Sequence, residues 1–418
     1  MLSALRSAVK IPDIRKKIVF TLLMFLVFRI GAHIPVPGIK LDVIANLIEQ
    51  GRLLGFFDVI SGGAFRNFSI FAMSITPYIN ASIIMQLLTV VVPYLERLAK
   101  EGVEGRKKIV EYTRYLTVVL GFIQAIGISF GLRSALVSTS FTSILVIALT
   151  LTAGTAFLMW LGESITEKGI GNGISLIIFA GIVSRLPAGL VAIYQYIKAG
   201  TTNVLVVLLF AIIALIVIVG VVAIHEGQRR IPVQYAKRVV GRKVYGGQST
   251  HIPIKVNSAG VIPVIFAMSI MMFPGTIASW FPNNTFAVWV TNVFDYRSFF
   301  YNFLYAILIL FFTYFYSAIT FNPMDVADNI KKYGGFIPGL RPGRPTSDYI
   351  ARVMNRVTFF GALFLAGIAV LPTILIATTE LPIYFGGTAL LIVVGVALET
   401  MKQIEASLLM RHYEGFMK

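Results

Sequence analysis

The chain contains no cysteine. That excludes disulfides, thiolate metal sites and cysteine nucleophiles, and it leaves the redox compartment open. Charge is scarce as well: only 13% of the 418 residues are Asp, Glu, Lys or Arg, against about 25% in soluble domains. Histidine occurs four times, at His33, His225, His251 and His412, scattered among predicted loops and helix ends. His225-Glu226 is followed by Gly-Gln-Arg and so lacks the second histidine of a zinc-protease helix. The sequence has no glycine-rich phosphate loop ending in Lys-Ser/Thr, and no paired aspartates within its apolar runs. Catalysis, a cofactor and a metal centre are therefore not expected.

Apolar residues are what the chain has in excess. They make up 57% of it, and mean hydropathy is +0.82, which marks a polytopic membrane protein. The basic start, MLSALRSAVKIPDIRKK, leads into an apolar run with no small-residue cleavage site behind it, so no cleaved signal peptide is expected. Ten apolar runs can be marked, at roughly 18–34, 68–92, 109–131, 141–161, 173–195, 203–224, 258–280, 299–321, 357–378 and 384–402. A membrane-crossing helix needs about 20 such residues. With the N-terminus in the cytoplasm, 28 of the 36 Lys and Arg residues fall in cytoplasmic segments. That asymmetry predicts cytoplasmic positions for both termini. Ten spans also divide into two halves of five, 1–200 and 201–418. Five being odd, equivalent helices would run in opposite directions, as in an inverted repeat. No sequence identity links the halves.

The stretch from Leu54 to Val92 is composite. Phe68 to Val92 reads as a spanning helix, but the preceding segment is short, aromatic, broken by Gly62-Gly63, and carries Asp58 and Arg66. Such a segment dips into a membrane protein without crossing it. Irregular backbone at that depth needs protein or water around it.

Two predicted cytoplasmic loops exceed mere connection. In 225–257, alternation within RRIPVQYAKR and RKVYGGQSTHIPI predicts two short strands around Gly241, a projecting hairpin. In 322–357, a polar start and a Gly/Pro-rich tip precede a helix predicted from Thr346. Positive-inside anchoring accounts for Arg356 and Lys255 near the membrane. It does not account for Arg238, Arg242, Arg341 and Arg344, ten or more positions from a span, which point to docking of a partner.

A secondary transporter places ionisable residues near the bilayer midplane, and few stand there. Arg29 is late enough in span 1 to snorkel outward. Arg185, beside Pro187, has an open role, and Glu163 and Glu399 fall near the cytoplasmic side. The spans carry instead isoleucines at fourfold spacing: Ile79 and Ile83, then Ile174, Ile178 and Ile182. Such stripes serve ordinary helix packing, or form an apolar constriction that resists water and ions. The glycines of GIGNGIS (169–175) fit a tight turn with close helix packing. Basic loops that bind nucleic acid or anionic lipid remain a third, scaffold-like possibility.

Several stretches, taken in order, resemble the SecY family, the channel-forming subunits of the Sec protein translocase. They are FRIGAHIPVPGI (28–39), PYINASIIMQLL (77–88), EGRKKIVEYTRY (104–115), TEKGIGNGIS (166–175), GQRRIPVQYAKR (227–238), QSTHIPIKVNSAGVIPVIFA (248–267), NPMDVADNIKKYGGFIPGLRPG (322–343) and YFGGTALLIVV (384–394). Ser74 departs from the pattern, since the family often has Gly before the Ile-x-Pro of span 2.

The resemblance implies an all-α, ten-helix hourglass in two pseudo-symmetric halves, hinged near the connection of spans 5 and 6. It conducts unfolded secretory polypeptides and releases membrane helices sideways into lipid. The constriction it implies is Ile79, Ile83, Ile178, Ile182, Ile265 and Ile392. A short re-entrant plug helix at about 55–66 (Phe56, Phe57, Asp58, Val59, Ile60, Ser61, Gly62, Gly63, Ala64 and Phe65) would seal the external side. Spans 2, 3, 7 and 8 would form a lateral gate, with Gln86, Thr89, Asn257 and Ser258 as its polar candidates. Loop tips bearing Arg238, Arg242, Lys243, Arg341 and Arg344 would dock the SecA ATPase or the ribosome, through ribosomal RNA, with strong salt dependence. SecE and SecG are the implied small membrane subunits, and signal sequences, nascent polypeptides and the lipid bilayer the other partners. The implied location is the bacterial cytoplasmic (inner) membrane. Because the plug leads directly into span 2, sideways opening of that helix is expected to loosen it.

Overall fold

Ten helices fall on the ten apolar runs in a computed structural model that describes residues 9–44, 58, 61–200, 203–235, 238–240, 243–245, 249–279, 281, 284–295, 298–379 and 387–416. They are α1 (Pro12–Gly31), α2 (Thr76–Val91), α4 (Val103–Gly131), α5 (Phe141–Lys168), α6 (Gly173–Lys198), α7 (Val204–Glu226), α8 (Ile262–Ser279), α10 (Phe299–Thr320), α12 (Arg344–Thr379) and α13 (Gly387–Phe416). Short helices α3 (Pro93–Lys100), α9 (Thr285–Val293) and α11 (Pro323–Lys332) lie between them. Among the described residues, α4, α5, α6, α7, α12 and the α10–α11 stretch are long and apolar enough to cross a membrane.

Local chemistry sets the helix ends. Asn172 caps α6, its side-chain oxygen accepting from the amides of Ile174 and Ser175 at 3.1 and 3.2 Å. Asn203 and Asn322 cap α7 and α11 in the same way. Each satisfies donors that a helix start leaves without partners. Gly173 sits so close to α5 that an added Cβ would lie 1.9 Å from the Gly162 carbonyl oxygen. The expected tight turn with close packing is therefore what GIGNGIS forms. At the other end of α2, Pro93 holds Val92 extended (φ −94, ψ 114), and α3 leaves at 97°, as the steric demand of proline on its predecessor requires.

Helix α2 corrects the sequence reading. It begins at Thr76 rather than Phe68 and has 16 residues, about 24 Å at 1.5 Å per residue and short of the roughly 30 Å hydrocarbon layer. Residues 68–75 are turns, with Phe68 and Ser74 at φ +36 and +51. They are covered by protein: Phe68, Phe71, Ala72, Met73 and Ile75 are all buried. The Phe71 ring stacks between Phe28 of α1 and Phe157 of α5, at centroid distances of 6.1 and 6.0 Å. Gly31 and Gly154 make the room. A Cβ at Gly31 would lie 2.0 Å from the Phe71 ring, and one at Gly154 1.9 Å from the Ile70 carbonyl oxygen.

The long helices pack as two groups. In the first, α4 packs on α2 and α5, α5 on α6, and α1 on α5 and α6; in the second, α10 packs on α8 and α12, and α13 on α7 and α12. The groups meet along α8 with α2 and α4, and along α6 with α13. One apolar core joins both and contains Phe28, Ile79, Leu158, Ile178, Ile265, Phe312 and Ile392.

The two long loops fold as one body. Strand β1 (Gln228–Tyr235) pairs antiparallel with β4 (Ser249–Lys255), from Gln228 against Lys255 to Gln234 against Ser249. The expected hairpin is thus present, but as two ladders, because β2 (Arg238–Val240) and β3 (Lys243–Tyr245) pair separately beyond it. Gly241 lies outside the described residues. The other edge of β1 takes β5 (Gly335–Phe336) from the second loop. Ile231, Val233, Ile254, Ile330, Ile337 and Ile350 close the small core beneath. The helix expected from Thr346 begins at Arg344 and runs unbroken through the ninth apolar run as α12.

Candidate functional site

Isoleucines recurring every four residues share a helix face, so Ile79 and Ile83 of α2, and Ile178 and Ile182 of α6, each project as a pair. Ile265 of α8 and Ile392 of α13 join them in one cluster, and all six are at most 5% exposed. The six come from four helices of both groups. All six belong to one large apolar core that also holds residues of α1, α5, α10 and α12.

Ala64, within the described turns 61–67, packs into this cluster. Of the expected plug, Phe56, Phe57, Val59 and Ile60 lie outside the described residues. The segment is described at Asp58 and again from Ser61, where residues 61–67 form successive turns. Its internal bonds are local: the Gly63 amide donates to the Asp58 carbonyl at 2.8 Å, and the Phe65 amide to Ser61 Oγ at 3.1 Å. Ala64 belongs to the same apolar core as the isoleucines, and Phe65 to a neighbouring one. Gly62 has φ +68 and stands so close to α6 that a Cβ there would lie 2.8 Å from the Gly181 Cα. A side chain would be both strained and obstructed.

Charged side chains hold the segment. Asp58 is fully buried and forms an ion pair with Arg185 of α6, whose side chain is 25% exposed. Asp58 Oδ1 also accepts from the Arg66 amide at 2.8 Å. Burial pushes the Asp58 carboxyl up from its ordinary range, and the Arg185 guanidinium and Arg66 amide pull against that rise. Arg29 corrects the sequence expectation. Instead of snorkelling outward, it turns in and donates to the Gly62 carbonyl at 2.7 Å and to Ser184 Oγ at 3.2 Å. Asp58 and Arg185 each stand out in the sequence as isolated charges among apolar residues. Spacing along the chain does not reveal their pairing; the solitary opposite charges are its one signal in the sequence.

The four polar candidates on α2 and before α8 do not bond to one another. Gln86 donates to Ser82 at 3.4 Å and Thr89 to the Met85 carbonyl at 2.7 Å, both within α2. Asn257 reaches the Gly260 carbonyl at 2.9 Å and lies 3.3 Å from His225 Nε2. Ser258 lies 3.3 Å from Ser317 of α10. Gln86 and Thr89 stand on α2 and Asn257 and Ser258 just before α8, the two helices that touch where the groups meet. Nearby, an open cleft runs between Lys100 and Arg106 on one side and Asn322, Asp325 and Met354 on the other.

Among the docking candidates, Arg341 and Arg344 are exposed, and the Arg341 carbonyl accepts from Thr346 Oγ1 at 2.8 Å, which orders the tip. Arg242 lies outside the described residues, as do the side chains of Arg238 and Lys243, although Arg238 and Lys243 have backbone places in β2 and β3.

A sequence model of the SecY family matches residues 69–401. The protein translocase subunit SecY of Halalkalibacterium halodurans is 53% identical, with 100% of each chain covered. One solved SecY structure, described as having a plug domain that stabilises the closed state of the translocation channel and maintains a membrane seal, aligns with TM-score 0.68 at 18% identity over 96% of each chain. A channel in the canine ribosome–channel complex of the endoplasmic reticulum aligns with TM-score 0.63 at 16% identity, again over 96% of each. At those identities the structural likeness concerns the fold.

Proposed function

The chain belongs to the SecY family, and from that premise we propose how its parts conduct a polypeptide. It is a protein-conducting channel subunit of a multi-pass kind, resident in the bacterial cell membrane. The expected alternative, a ten-span transporter of small solutes, finds no support, since the relatives are translocase subunits.

In this reading all ten helices cross the membrane with both termini cytoplasmic. Residues 1–200 and 201–418 act as two halves that hinge at the connection between α6 and α7. Ile79, Ile83, Ile178, Ile182, Ile265 and Ile392 form the constriction. Apolar β-branched side chains exclude water when the pore is empty, and they offer a passing chain few hydrogen bonds to trap it. The segment from Phe56 to Phe65 is the plug. Helices α2 and α4 part from α8 and α10 as a lateral gate, with Gln86, Thr89, Asn257 and Ser258 along its edges to meet signal sequences and lipid. The observation that carries this reading is the convergence of six isoleucines from four helices in one buried cluster, with Ala64 of the plug packed into it.

The fused loop body is the docking surface for a driver. The SecA ATPase or the ribosome grips it through Arg238, Arg242, Lys243, Arg341 and Arg344, and SecE and SecG complete the membrane complex. Contacts of these cations with ribosomal RNA weaken steeply with salt. The test is reconstitution with those partners and an unfolded secretory chain. Wild-type vesicles should import the chain and conduct few ions at rest, and the Ile83→Gly, Ile178→Gly variant should leak ions. An unchanged resting conductance would remove the ring assignment.

A further inference from the structure

Two arginines fasten the plug, and both come from the first helix group. Arg185 on α6 pairs with the buried carboxylate of Asp58, and Arg29 on α1 donates to the Gly62 carbonyl at 2.7 Å. Ser184 stands between them, 3.2 Å from Arg29 and donating to the Gly181 carbonyl at 2.7 Å. The chain that leads from plug to gate helix is clamped as well. Val36 donates to the Phe68 carbonyl at 2.9 Å, Ile70 to the Ile34 carbonyl at 3.0 Å, and Phe71 is wedged between α1 and α5. Along the chain, a sideways movement of α2 away from α8 reaches the plug through a segment that is itself bonded to residues 34–36 and wedged between α1 and α5. The expectation that opening α2 by itself loosens the plug has to contend with that clamp.

We propose that Asp58–Arg185 and Arg29–Gly62 form a latch that keeps the plug on α1 and α6, so that release of the plug is a step separate from parting of the lateral gate. The proposal rests on the channel reading above. The two ties differ in kind. Arg29 reads a main-chain oxygen and is indifferent to the plug's side chains. Arg185 depends on one carboxylate, and removing either partner strands a charge in an apolar setting, which is far costlier than removing both.

The absence of cysteine allows a clean experiment in the reconstituted complex. Cysteines introduced as Gln86→Cys and Ser258→Cys report gate parting by cross-linking yield, while resting ion conductance reports the plug. The variants are Asp58→Asn, Arg185→Gln, the two combined, Arg185→Lys, and deletion of 58–67. Each single neutral variant should raise resting conductance roughly tenfold or more, the scale expected for a broken buried pair, with cross-linking unchanged. The double variant should leak no more than the worse single one, and Arg185→Lys should restore most of the seal. Independent, multiplying effects of the two single variants would overturn the pairing. Reduced cross-linking in the single variants would overturn the separation of steps. If the deletion leaks and the single variants do not, the latch is wrong and the plug stands. If the deletion does not leak, the plug reading itself fails.

Discussion

Gly335 lies opposite Tyr235 across the β1–β5 ladder, and a Cβ on residue 335 would come within 2.8 Å of the tyrosine ring and 3.0 Å of Ile330 Cγ2. This contact joins two loops separated by 64 residues of intervening chain, 258–321. Gly335→Val should force the ladder apart, at the roughly 1–3 kcal/mol typical of overpacking. Limited proteolysis should then cut near residues 333–343 faster than in the wild type. Equal cutting rates would show that the loops do not depend on this pairing.

Ser74 holds φ +51 within the turns before α2. A non-glycine residue in that region carries about 1–3 kcal/mol of strain, and the SecY pattern often has glycine at this place. Ser74→Gly should therefore raise thermal stability in detergent, whereas Ser74→Val, β-branched and buried, should lower it. A fall in stability with glycine would mean that the hydroxyl contributes more than the strain costs.

Gly154 faces the Ile70 carbonyl with no space for a methyl group: the Cβ would lie at 1.9 Å from a backbone oxygen. Backbone yields less readily than the end of a flexible side chain. Gly154→Ala should displace the 68–75 turns and lower stability by about 2 kcal/mol or more, within the range for severe core changes. Loss of the Phe71 stacking, followed through packing-sensitive cross-links to α1, would accompany it. Wild-type stability in that variant would contradict the clamp.

Arg341 is exposed, and its carbonyl accepts from Thr346 Oγ1. Charge reversal at such a surface position changes stability little, typically within about 0.5 kcal/mol. Arg341→Glu should therefore fold normally, yet lose import driven by an ATPase motor alone. The residual activity should also respond less steeply to salt. Full import by Arg341→Glu would remove this residue from the docking surface.

Much of this molecule was legible in one dimension because the bilayer imposes local rules. A spanning helix must be a long apolar run that satisfies its own backbone, so the ten apolar runs marked where ten helices fall, although α2 begins only at Thr76. Fourfold spacing placed Ile79 with Ile83 and Ile178 with Ile182 on common faces, and basic residues gathered in 225–257 and 322–357 marked the two loops. What periodicity could not decide was where an apolar run stops being helix. Residues 68–75 are as hydrophobic as their neighbours, and they turn because Phe71 finds room between Gly31 and Gly154.

By itself, then, the sequence determined the helical membrane architecture and the side-chain chemistry available to it. Tertiary structure decided which distant residues meet. Arg29 could have snorkelled to the membrane surface, and turned instead to the Gly62 carbonyl. Asp58 and Arg185, 127 positions apart, are paired only because the turns around Gly62 pack on α6. The two loops became one body because β1 offered an edge that β5 could take. Helix formation depends on neighbours within a few residues, but burying a charge or completing a sheet edge depends on what packing brings across the molecule.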